Sequence, residues 1–120
     1  MRFRVALAAA ALTLVSSAAI AAESDVPDPY ASAAILRGDY ARAEAVLNAQ
    51  RGRHSKVPEV QLNLATVYAH TGRTEAAATL YRSVLARPDV ALALPSDDVI
   101  GAHTLATAGL AKLPIQQASR

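Results

Sequence analysis

Three histidines, His54, His70 and His103, are the side chains in this 120-residue chain best suited to proton transfer near neutral pH. None stands four residues from another histidine, and there is no cysteine, so the helical ligand pair that holds zinc is absent. His54 lies in the basic run Arg51-Gly52-Arg53-His54-Ser55-Lys56, which reads as a solvated link. His70 precedes Thr71-Gly72, where the open carbonyls of a helix end favour an imidazole. Adjacent carboxylates occur at Asp97-Asp98, behind Pro95-Ser96, and suit a helix N-cap better than an acid–base pair. Ser55, Ser83 and Ser96 lack the strained elbow that exposes a nucleophile, and no glycine-rich phosphate loop is present. The expectation is a chain with no catalytic, cofactor-binding or metal residues, one that binds and does not catalyse.

The elements that would position a binding surface begin after a leader. Met1-Arg2-Phe3-Arg4 is basic, Val5 to Val15 carries no charge, and Ser16 to Ala22 is small and mostly apolar. This is the layout of a secretory signal peptide over residues 1–21, with cleavage expected after Ala21 or Ala22. The apolar run is shorter than the ~18 to 20 residues that span a bilayer. Without cysteine there is no site for lipid attachment. The expectation is a periplasmic or secreted protein with no stable membrane anchor after cleavage.

The leader also changes the charge balance. The chain has 12 Lys and Arg against 10 Asp and Glu; Arg2 and Arg4 leave with the leader, so ten of each sign remain. A neutral chain poor in aromatics gives no electrostatic or stacking case for nucleic acid. About 99 remaining residues suffice for one small domain. Alanine is abundant and period-two alternation is scarce, so an all-α domain without a sheet is expected.

Residues 22–28 form an acidic lead-in with Glu23, Asp25 and Asp28, and the helical domain covers 29–113. A short first helix would start at Pro29 with Asp28 as its cap and end at Gly38. A second would run from Asp39 to Gln50, with Tyr40, Ala43, Val46 and Leu47 as its apolar stripe. A third opens at Pro58-Glu59 and stops at His70-Thr71-Gly72, and a fourth covers about Thr74 to Ala86. Val90 to Leu94 reads as an apolar connector. A fifth helix, capped by Ser96 or Asp97, would cover about Asp98 to Lys112, with 114–120 a polar tail.

Gly38 and Gly72 stand 34 residues apart, as do Ala43 and Ala77. Two helices per 34 residues is the period of the tetratricopeptide repeat (TPR). Pro58 to Ala91 resembles one whole TPR. Leu64-Ala65 and Tyr68 match the pattern of its first helix, Gly72 its turn, Ala77, Tyr81 and Val84 its second helix, and Pro88 its closing proline. Gln61 departs from the large residue usual there. Upstream, Gly38-Asp39-Tyr40 resembles the family's favoured turn and Asp39 to Gln50, with Ala43, its second helix, while the first helix is short, with Tyr30-Ala31 and Ala34 in place of Leu-Gly and Tyr. The resemblance implies antiparallel helix-turn-helix pairs of TPR type, about 1.5–2 repeats, plus a C-terminal capping helix.

It also implies a surface. First helices of successive TPRs line a concave face, which here would receive Glu59, Leu62, Thr66, Ala69 and His70, with Ala31, Ala34 and Ile35 from the short first helix. Such a neutral, partly apolar groove implies a protein or peptide partner. Arrays this short bury little surface between repeats, so a homo-oligomer is the further expectation.

Overall fold

Two left-handed turns, one repeat apart, set the architecture. Gly38 has φ 74° and Gly72 has φ 78°, values that cost a side-chain-bearing residue dearly. The amide of Asp39 bonds the carbonyl of Ala34 (2.9 Å), and that of Arg73 bonds the carbonyl of Tyr68 (2.8 Å). These are six-to-one closures of the Schellman type, identical in form and 34 residues apart. Each reverses the chain so that the next helix packs back antiparallel.

The computed structural model describes residues 27–54, 56–94 and 96–114. The expected leader, the acidic lead-in up to residue 26 and the tail beyond Pro114 lie outside the described residues. Within them the elements are α1 (Ser32–Leu36), α2 (Tyr40–His54), α3 (Pro58–His70), α4 (Thr74–Leu85), β1 (Ala91–Ala93), β2 (Val99–Gly101) and α5 (Ala102–Lys112). The fold is of the expected all-α class, with a small hairpin added.

α3 and α4 make the most extensive contact, α2 packs on α3, and α5 packs chiefly on α4. Alanines with no exposed surface, Ala43, Ala65, Ala77 and Ala106, let these helices approach closely. Leu47, Val60, Leu64 and Val67 fill the space between and are the largest fully buried side chains. α3 sits in the middle of the stack and buries Leu62 as well as the Val60–Leu64–Val67 stripe. A helix apolar on more than one side is one covered on more than one side.

Four local expectations are corrected. α1 begins at Ser32 and not Pro29, because Ala31 adopts a left-handed conformation (φ 56°); the Asp28 carboxylate still accepts the Ala33 N–H at 2.8 Å. α2 continues through the basic link to His54. Gly52 costs a helix only about 1 kcal/mol, and Arg51 and Arg53 sit well near a helix C-terminus.

The absence of a sheet is overturned between residues 91 and 101. β1 and β2 pair antiparallel, with Leu92 opposite Ile100. Leu94 N–H bonds the Asp98 carbonyl (2.8 Å), Asp97 N–H bonds the Leu94 carbonyl (3.0 Å), and Asp97 takes φ 65°. That is a turn closed by a left-handed residue, a common three-residue hairpin loop. Ser96 donates to the Asp98 carboxylate at 2.8 Å, so the expected cap residues stabilise a turn instead.

α5 consequently starts at Ala102, and its cap comes from further away. The Asp89 carboxylate accepts the His103 N–H at 2.9 Å. Gly101 makes room for it, since a β-carbon there would lie 2.9 Å from a carboxylate oxygen of Asp89.

Candidate functional site

A concavity opens where α3, α4 and α5 meet, with a volume of about 300 Å³. α3 contributes Thr66, Ala69 and His70, one helical face at spacings of three and four. α4 contributes the ring of Tyr81, and α5 contributes Gly109 and Lys112. Leu113 and Pro114, just beyond α5, close one side.

Gly109 is what lets the cleft exist. A β-carbon at this position would lie 2.3 Å from Cζ of Tyr81, so α5 crosses directly over the tyrosine ring. The ring is 5% exposed, and its hydroxyl lies 3.5 Å from that of Thr66. Thr66 in turn donates to the Leu62 carbonyl at 3.0 Å. These hydroxyls put hydrogen-bonding atoms on a floor that is otherwise apolar.

His70 sits at the rim, held from two sides. Its ring stacks on Tyr40 of α2, with centroids 4.9 Å apart and planes 22° from parallel. Its Nδ1 lies 2.9 Å from the Thr66 carbonyl, an acceptor, so Nδ1 carries the proton in that bond. The remaining ring nitrogen is left for other partners. Lys112 is exposed on the opposite rim.

The expected groove residues divide. Thr66, Ala69 and His70 come together in the cleft. Leu62 (5% exposed), Ala34 (5%) and Ala31 (2%) belong to the core, enclosed by the packing of α3 and α1. Glu59 and Ile35 are half-buried and lie outside the cleft. Tyr81 was read only as a match to the repeat's second helix, and Gly109 was not singled out. An isolated glycine in a helical pattern signals close approach, and that signal marks the contact.

His103 places Nε2 2.6 Å from the Arg87 carbonyl. Arg73 makes a two-pronged ion pair with Glu44 (2.7 and 2.6 Å) and lies over the Tyr68 ring, 4.3 Å from its centre. The hydrogen bonds from Arg73 hold the Glu44 carboxyl below its ordinary range, and the same bonds raise the Arg73 guanidinium. Among the described residues no group of three or more His, Asp or Glu is placed to hold a metal ion. No described helix is long and apolar enough to cross a membrane.

A family model described as tetratricopeptide repeat matches residues 34–93, from within α1 through β1. Neither a curated protein nor a solved structure matches the chain.

Proposed function

The chain belongs to the tetratricopeptide repeat family, and from that premise we propose that it is an exported interaction module whose α3–α4–α5 cleft holds an extended segment of a partner protein. TPR domains are scaffolds for binding other proteins. The cleft carries the rest of the reading: it is apolar at its floor, with the Thr66 and Tyr81 hydroxyls inside and His70 and Lys112 at its edges. An extended segment would bury apolar side chains on Ala69 and Leu113 and meet the polar groups with its backbone. Export to the periplasm is supported by the basic, apolar and small-residue order of residues 1–22.

The test is crosslinking in intact cells, followed by mass analysis of the recovered chain and whatever it carries. The chain should begin at Ala22 or Glu23 and carry a specific protein. Ala69→Glu, which places a charge in the cleft, should weaken that capture about tenfold or more, the equivalent of about 1.4 kcal/mol. Capture that is unchanged by Ala69→Glu would sink the cleft; a chain recovered at full length inside the cytoplasm would sink the export.

A second reading has its own support. Leu36 is 75% exposed and Val99 70% exposed, at opposite ends of the helical stack. Solenoids this short leave such ends open, and self-association would cover one of them.

A further inference from the structure

The hairpin has a free edge. The amide of Ala102 bonds the Val90 carbonyl and that of Leu94 bonds the Asp98 carbonyl, both at 2.8 Å. Leu92 and Ile100 face each other between these bonds. An antiparallel ladder alternates, so Val90, Leu92 and Leu94 aim their backbone groups at β2, and Ala91 and Ala93 aim theirs away from it. Both alanines are exposed, and their outward groups have no partner among the described residues. Proteins blunt such edges with lysine, proline or a bulge. From Val90 to Leu94 there is no charge and no proline.

We propose that β1 pairs antiparallel with β1 of a second copy about a two-fold axis at Leu92, joining two hairpins into one four-stranded sheet. The segment Ala91-Leu92-Ala93 reads the same in both directions. In the two-fold register Ala91 of one copy meets Ala93 of the other, each with its bonding groups outward and only a methyl group to accommodate. Leu92 keeps its place on the buried face, so the core of each copy is undisturbed.

Charge favours the same register. The turn follows Leu94, two positions after Leu92, and Val90 stands two before it, so each hairpin tip lies beside the base of the other. The tip carries Asp97 and Asp98, both exposed. The base carries Arg87 and Lys56, joined by a bond from the Arg87 guanidinium to the Lys56 carbonyl (3.0 Å). The acid at the base, Asp89, is already engaged at the start of α5. The acid of each tip therefore lies toward the basic end of the other hairpin, and the arrangement is the same from both sides. This locates the self-association of the second reading and is independent of the cleft.

Sedimentation equilibrium of the full chain should return twice the chain mass. Ala93→Pro removes an outward N–H and none of the bonds to β2, so it should return the single mass with an unchanged helical circular dichroism signal. A second measurement does not depend on proline. The chain has no cysteine, so Ala91→Cys and Ala93→Cys each carry one thiol. Directly opposed residues of this kind have Cα atoms about 5.5 Å apart, within disulfide reach. On mild oxidation the mixture of the two variants should crosslink, and each alone should crosslink much less. A single chain mass for the unaltered protein at every concentration overturns the proposal. So does a dimer that survives Ala93→Pro, or thiols that link equally well within either variant. Ala69→Glu should leave the dimer mass unchanged, so the cleft and the edge fail separately.

Discussion

Gly109 and Tyr81 hold a close contact between α5 and α4 through a missing side chain. Gly109→Ala would drive a methyl group into the tyrosine ring and push α5 away from α4. The expected cost is about 1–3 kcal/mol, seen as a melting temperature lower by roughly 4–8 °C per kcal/mol. The Glu44–Arg73 pair makes a different prediction. The folded carboxyl is held below its ordinary value near 4, so its stabilising effect is present above that value and fades as the pH falls through the folded one. Glu44→Gln should melt lower than the unaltered protein at neutral pH, and the gap should close in acid. A gap that stays constant down to pH 3 would mean the ion pair contributes nothing through charge. Neither contact could be read along the chain, since Tyr81 and Gly109 are joined only by the fold, as are Glu44 and Arg73. The glycine itself was visible, but its neighbour was not.

At the scale of elements, the helices were legible where a short-range rule governs them. α3 and α4 follow a proline near one start, glycine at the turn and apolar spacing of three and four, and their observed limits differ from the expected ones by at most one residue. The 34-residue repeat recurs in the backbone bonds themselves, not only in residue types. The segment after α4 was misread because Ser96, Asp97 and Asp98 suit a helix cap and a hairpin turn equally well. What decides between them is Asp89, which reaches the α5 N-terminus from fourteen positions away. Removing that carboxylate with Asp89→Ala should cost about 1 kcal/mol. Hydrogen exchange would locate the loss: amides at the start of α5 should exchange faster, and those of α3 should not change. Equal acceleration in both helices would show that Asp89 supports the whole stack and not one helix end.

Across the whole molecule, the central position of α3 explains why three of the eight expected groove residues became core. A surface derived from TPRs in longer arrays assumes neighbours on two sides and an open concave face. Here α1 is short and α5 lies over α3, so Leu62 is enclosed and only the end of that face, Thr66 to His70, stays open. The interior is also unusual in kind: among the described residues, eight of the eighteen buried apolar side chains are alanine. Each hides little hydrocarbon and gives up no side-chain freedom on folding. Heat capacity of unfolding follows the apolar area newly wetted, ordinarily about 12–15 cal/mol/K per residue. A core of methyl groups should fall below that range in scanning calorimetry. Its free energy of folding would then bend only gently with temperature, so the same close packing that brings the helices together would leave this protein nearly indifferent to cold.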